Sequence, residues 1–206
     1  MSFTDQAWEI FNQSISDYHI KDDVDTAVNN PFEGDSLERL LYAKNWIDTV
    51  QWHLEDIIRD ENIDPTEALK IKRRIDSSNQ QRTDLVEFID SWFLQKYNNI
   101  TPNPDAKINT ETPAWAVDRL SILALKVYHM SLEANRISAS EEHRQKCSDK
   151  LNVLLEQRKD LSEAINQLIL DIENGKVKMK VYKQMKMYND ESLNPILYQN
   201  QKNGQT

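Results

Sequence analysis

Arginines occupy positions where a helical core normally places leucine. Between Ile75 and Phe93, the apolar Ile75, Val86, Ile89 and Phe93 share one helical face with Asn79 and Arg82. Between Cys147 and Ile172, a seam spaced alternately four and three carries Leu151, Leu154, Leu161, Ile165 and Leu168, and Arg158 takes one of its positions. A densely apolar stretch, Thr112–Met130, contributes Asp118 and His129. Another stretch sets Asn45, Asp48, Trp52, Asp56 and Arg59 in a polar stripe beside its apolar one. Withdrawing a guanidinium from water costs several kcal/mol unless it is paired and fully hydrogen-bonded. Carboxylates in the same layer must therefore meet these arginines, and Asp118, Asp56 and Glu55 are the candidates.

The expected site is a layer of Asn79, Arg82, Asp118 and Arg158, with Asp56, Arg59, Trp52 and His129 beside it. A closed salt-bridge layer would fix helix register. An open one would hold a small anionic ligand, because the planar guanidinium fork suits phosphate and carboxylate alike. Arginines that snorkel to the surface would do neither. His129 taken alone reads as an edge residue rather than a base or ligand. The leading functional expectation is a non-catalytic protein that binds a small anionic ligand or a protein partner. The alternative is an enzyme acting on a phosphorylated or nucleotide-sugar substrate with Mg²⁺.

Metal and cofactor motifs are sparse, and no cofactor is expected. A di-iron bundle wants Glu-x-x-His on two helices, but the residues three before His19, His53, His129 and His143 are Ser16, Val50, Lys126 and Ser140. Asp84 and Glu87, with Glu55 and Asp56, could hold Mg²⁺ as in all-helical nucleotide pyrophosphatases, although a solvated face is the default for such spacing. There is no phosphate-binding glycine loop and no zinc-type Cys/His spacing.

Composition sets the frame. The chain has 206 residues, enough for one domain with a proper core, and 39% of them are hydrophobic. Its net charge of −9 argues against nucleic acid as a partner, since backbone binding needs a basic face. A single cysteine, Cys147, excludes an internal disulfide and reads as a small buried apolar residue. The first residues, MSFTDQAWEIF, lack the basic and apolar regions of a signal peptide, and no apolar run approaches membrane-spanning length. The expectation is a cytoplasmic protein without membrane insertion.

Five long helices must position the polar layer, forming an all-α antiparallel bundle. The first is expected over about Thr4–His19, burying Trp8, Phe11, Ile15 and Tyr18. The second opens at Asp35, with Glu38 three residues on, and buries Leu40, Ile47, Val50, Leu54, Ile57 and Ile58. The third starts at Asp64-Pro65-Thr66-Glu67 and reaches Tyr97, long enough for a kink near Ser77-Ser78. Residues 98–111 lack periodicity and suggest a lid or binding loop. The fourth helix, starting with Pro113, is the apolar centre of the chain, and the fifth runs from a Ser138/Glu141 capping box to Gly175. The single domain is expected to span residues 1–188, with 189–206 as a tail. From Lys176 the basic stretch KVKMKVYKQMKMYND alternates well enough for a strand, while Val181, Met185 and Tyr188 also allow a helical turn; its lysines are expected to dock on the acidic body.

With these stretches laid out, NWIDTVQWHLEDIIRD (Asn45–Asp60), IDSSNQQRTDLVEFID (Ile75–Asp90), TPAWAVDRLSILALK (Thr112–Lys126) and YKQMKMYND (Tyr182–Asp190) resemble a bacterial family catalogued only as a domain of unknown function. The resemblance covers nearly the whole length and implies an all-helical cytoplasmic protein. It brings no catalytic residues. Through the cell-envelope glycosyltransferase genes that its members accompany, it points to sugar or nucleotide-sugar ligands.

Overall fold

The computed structural model describes residues 1–185, 187 and 190–203. Five long helices, α1 (Phe3–Tyr18), α2 (Leu37–Ile57), α3 (Pro65–Lys96), α4 (Pro113–Ala134) and α5 (Glu141–Glu173), form an all-α bundle, followed by a short α6 (Pro195–Asn203). Helix α4 packs against α1, α2, α3 and α5. That central place is what its apolar composition requires, because a helix with apolar residues on both sides must be covered on both sides. Val117, Leu120, Ala124 and Leu125 are all buried.

Local chemistry sets the helix ends. Ser2 caps α1 in a reciprocal box with Asp5, and the stripe Trp8, Phe11, Ile15 and Tyr18 is buried as the spacing predicts. Asp64 caps α3 through the N–H groups of Thr66 and Glu67, with Pro65 at the first turn. The helix is continuous through Ser77 and Ser78. Two expected caps move by one or two residues. Ser36, not Asp35, caps α2 by accepting from the Arg39 N–H, and Ser140, not Ser138, caps α5 by accepting from the His143 N–H. In each case a nearer hydroxyl reaches the third backbone N–H, so the more distant residue has no orphan donor to satisfy.

The largest departure lies in α2. Its deepest face carries Leu37, Leu41, Lys44, Asn45, Asp48 and Thr49; of the expected stripe Leu54 is buried, Leu40, Ile47, Val50 and Ile58 are partly buried and Ile57 is exposed. Helix α2 is wedged between α1, α3 and α4, so three neighbours cover its polar stripe while one edge of its apolar stripe stays open.

The loop over residues 98–111 is tied down. Asn103 N–H donates to the Gly175 carbonyl, and Lys107 pairs with Val177 in an isolated parallel bridge through Lys107 N–H to Lys176 O and Lys178 N–H to Lys107 O. Helix α5 closes with a paired motif, Lys176 N–H to Asp171 O and Gly175 N–H to Ile172 O. Gly175 has φ +68, and a Cβ there would sit 3.0 Å from the Thr101 carbonyl oxygen. The segment after the bridge forms neither of the expected elements through 185; Lys186 and Tyr188 lie outside the described residues. It does return to the body, where Gln184 N–H donates to Glu87.

Candidate functional site

The polar layer exists, with a different membership from the one predicted. Asp48 on α2, Arg82 on α3 and Asp118 on α4 converge on Lys44, which is fully buried. Lys44 Nζ pairs with Asp48 and lies 2.8 Å from Asp118 Oδ1. Arg82 places Nη2 at 3.1 Å from Asp118 Oδ1 and Nε at 2.7 Å from Asp48 Oδ1. The Nε approach is off the hydrogen-bonding axis, so it acts as an ion pair. Ser121 Oγ donates to Asp48 Oδ2 at 2.6 Å and accepts from Asn45 Nδ2 at 3.0 Å. Two cations face two carboxylates, and the group is neutral.

Electrostatics follow from that count. Burial pushes the Asp118 carboxyl up, but Lys44 and then Arg82 outweigh it and hold the group below the usual carboxylate range. Burial likewise works against the charged guanidinium of Arg82, and Asp48 and Asp118 overcome it, raising its pKa. Both partners remain ionised, as a buried pair must to be worth forming.

Arg82 is the layer's outlet, with its side chain 23% exposed. It borders two openings. A cleft of about 310 Å³ is lined by Asp48, Gln51, Trp52, Asp56, Arg59 and Arg82, together with Glu55 and Ile122. On the other side of the guanidinium, a cavity of about 330 Å³ is bounded by Asn79, Thr83, Trp115, Asp118 and Gln184. A larger groove of about 540 Å³, lined by Leu40, Leu85, Phe88 and Trp92 among others, shares no lining residue with either.

Of the predicted residues, Asn79, Arg82 and Asp118 assemble in the layer; Asn79 Oδ1 accepts from Gln51 at 2.9 Å and Arg82 at 3.5 Å. Trp52, Asp56 and Arg59 line the cleft beside it. Asp56 is not an acceptor for the arginines, and Asp48 takes that place because it lies two turns deeper on α2. Arg158 does not belong. Its half-buried guanidinium lies 4.1 Å from the Trp8 ring centroid, on the side of α5 that faces α1, where an aromatic face and partial access to water together solvate it. His129 stacks on Trp52 at 4.7 Å and 6° and meets two other histidines, His19 and His53.

Lys44 and Ser121 were missed. The signal was present: Leu37, Leu41, Lys44 and Asp48 recur at four, three and four, so Lys44 continues a buried stripe. Ser121 follows Asp118 by three, on the same face of α4.

Among the described residues, no helix is long and apolar enough to cross a membrane. No curated protein and no solved structure matches the chain. Residues 38–181 match a protein family of unknown function, DUF4254. The matched span contains the complete polar layer and both openings beside Arg82 except Gln184. It covers well over half of the sequence, and the chain therefore belongs to the DUF4254 family of proteins of unknown function.

Proposed function

We propose that this protein binds a small polar molecule in the cleft between Trp52 and Arg82. The reading rests on one observation: an aromatic ring, a partly exposed guanidinium and the accessible carboxylates of Glu55 and Asp56 border a single opening of about 310 Å³, at the lower end of the range for small-molecule sites. Trp52 is held from behind by His129, so its remaining surface is a fixed platform.

The charge balance selects the ligand class. Lys44 and Arg82 already offset Asp48 and Asp118, and Arg59 offsets Glu55. Asp56 is left over, so the cleft holds no surplus cation for a bare anion. A hydroxyl-rich molecule of about monosaccharide size suits it better, donating to the carboxylates, accepting from Arg82 and laying an apolar face on Trp52. The carboxylates Glu55 and Asp56 also favour a second reading, in which Mg²⁺ bound there brings in a sugar phosphate or nucleotide sugar as substrate.

A thermal-shift panel of neutral sugars, sugar phosphates and nucleotide sugars, each with and without Mg²⁺, tests both. A ligand at a hundred times its Kd adds about 2.7 kcal/mol, or a rise of roughly 5–11 °C for a domain of this size. The rise should vanish in Asp56→Asn. Turnover of a stabilising compound identifies an enzyme, and stabilisation without turnover identifies a binder. No rise from any compound overturns the ligand site and leaves the layer a purely structural device.

A further inference from the structure

We propose that His19, His53 and His129, with Asp22, form a binding site for a divalent transition-metal ion, Zn²⁺ fitting best. The site is separate from the cleft, and Trp52 stands between them, stacked on His129.

Three of the protein's four histidines meet at one point although they come from different elements. His19 caps the C-terminus of α1, His53 lies in α2 and His129 in α4. Each offers a ring nitrogen, and these atoms all lie within 4.8 Å of one another. His19 Nε2 and His53 Nε2 are 3.2 Å apart. Tetrahedral Zn²⁺ with nitrogen at about 2.0–2.1 Å separates neighbouring ligand atoms by about 3.3 Å, so this pair already stands at coordination distance. Asp22 Oδ1 lies 4.0 Å from His19 Nε2 and 3.8 Å from His53 Nε2. It sits on an exposed turn with φ 51, closed by its N–H to the Tyr18 carbonyl, outside the 4.8 Å group that the three ring nitrogens form, so it would have to swing inward to serve as a fourth ligand.

The hydrogen bonding fixes which nitrogen is available. His19 Nδ1 lies 2.7 Å from the Ile15 carbonyl oxygen, which can only accept, so Nδ1 carries the proton and Nε2 turns its lone pair toward His53. A backbone carbonyl holding the far nitrogen is how metal-ligating histidines are commonly oriented. Stacking holds the other rings, Tyr18 on His53 at 5.1 Å and Trp52 on His129 at 4.7 Å. His129 Nε2 is buried with no hydrogen-bond partner among the described residues, a group that protein structures rarely leave unsatisfied. Burial, reinforced by the neighbouring histidines and only partly opposed by Asp22 and Asp56, pushes His129 down to about 4 and lowers His53.

A second cluster, Glu133, His143 and Cys147, competes poorly. His143 Nε2 is already committed to Glu133 at 2.8 Å, and Arg136 holds the same carboxylate oxygen at 3.0 Å.

The test uses the tag-free full-length chain, stripped with a chelator and titrated at neutral pH with Zn²⁺ by calorimetry and with Co²⁺ by visible absorption. One equivalent should bind at micromolar Kd or tighter, and Co²⁺ should give the intense bands of a four-coordinate site. His53→Gln and His129→Gln should weaken binding roughly tenfold or more, since even outer partners of metal ligands cost that much. His143→Ala should leave it unchanged. Circular dichroism of each variant separates loss of the site from loss of the fold, and Asp22→Asn, on the exposed turn, gives a variant that need not disturb packing. Binding weaker than micromolar, binding that survives both glutamine variants in folded protein, or loss on His143→Ala overturns the assignment.

Discussion

Replacing Lys44 with methionine keeps most of the side-chain volume and removes the cation that the layer is built on. The wild-type group sets Lys44 and Arg82 against Asp48 and Asp118. In the variant one guanidinium faces two carboxylates, and Asp48 has no exposed surface through which water could help. Removing one partner of a buried ion pair costs about 3–5 kcal/mol, because the remaining charge is stranded. At roughly 2–4 °C per kcal/mol for a domain of this size, the melting temperature should fall by about 6–20 °C. Proton uptake limits the loss. Asp118 is the more accessible carboxylate, and Lys44 is the larger of the two cationic influences that hold its pKa down. A carboxyl with a lowered folded pKa contributes stability above its unfolded value, which is lost as pH falls through the folded value. Lys44→Met takes away much of that contribution, so the gap between variant and wild type should be widest near neutral pH and narrow toward pH 4. Lys44→Met combined with Asp118→Asn restores one cation to one carboxylate and should recover most of the loss. Urea unfolding followed by circular dichroism at several pH values, arranged as a double-mutant cycle, measures each step. A single variant costing less than about 1 kcal/mol, or a double variant no more stable than the sum of its parts, would refute the stranded-charge account.

Three further outcomes follow from the geometry. Arg158→Leu should cost no more than about 1 kcal/mol in urea unfolding, the scale of a partly solvated cation–π contact, because its guanidinium rests on Trp8 rather than in the layer. Asp90 is 2% exposed and accepts from Thr112 Oγ1 at 2.9 Å, and burial raises its pKa to about 6. Its folded form therefore holds a proton more tightly than the unfolded chain, stability falls as pH rises from about 4 to about 6, and Asp90→Asn should flatten that slope and add on the order of 1–2 kcal/mol at pH 7. Gly175→Ala should cost more than about 1 kcal/mol, since φ +68 disfavours a side chain and the Cβ would press on the Thr101 backbone oxygen; an unchanged denaturation midpoint would show that the loop yields freely.

Periodicity was a sound guide wherever a helix had one covered face. The stripe Trp8, Phe11, Ile15 and Tyr18 and the buried Ile75, Val86, Ile89 and Phe93 are read directly from steps of three and four. It failed on α2 because apolar patterning assumes that the most apolar face points inward. Helix α2 has three neighbours, and the face they cover jointly is the one with Lys44, Asn45 and Asp48. Caps slipped for a more local reason. Ser36 and Asp35, or Ser140 and Ser138, offer chemically similar acceptors, and one residue of backbone phase decides which of them reaches the orphan N–H groups.

The polar site shows why burial of a charge cannot be read one helix at a time. Arg82 and Arg158 interrupt apolar seams in the same way, yet among the described residues Arg82 makes close ion pairs with carboxylates of α2 and α4, whereas Arg158 feels the exposed Asp5 of α1 only at longer range. Arg158 rests mainly on an aromatic ring. What separates them is the identity of residues on other helices, and that information enters only with the packing. The same reasoning applies more strongly to the histidines. His129 by itself has no feature that marks it, and His19 and His53 have none either; their ring nitrogens become a chemical unit only because the end of α1 is brought against α2 and α4. A motif search reads spacing within one helix, so it finds Glu-x-x-His and misses three single residues on three elements. A half-buried group of imidazoles is also costly to retain without an ion or a proton between them, and leucines in those positions would pack at no polar cost. The contrast with the layer is physical. Lys44, Arg82, Asp48 and Asp118 balance one another in charge, and the two layer atoms without an aligned hydrogen bond, Asp48 Oδ1 and Arg82 Nε, still face each other as an ion pair, whereas the buried His129 Nε2 has neither a hydrogen bond nor an ion-pair partner among the described residues. A self-satisfied group holds helices together; an unsatisfied one is where an external partner gains most by binding.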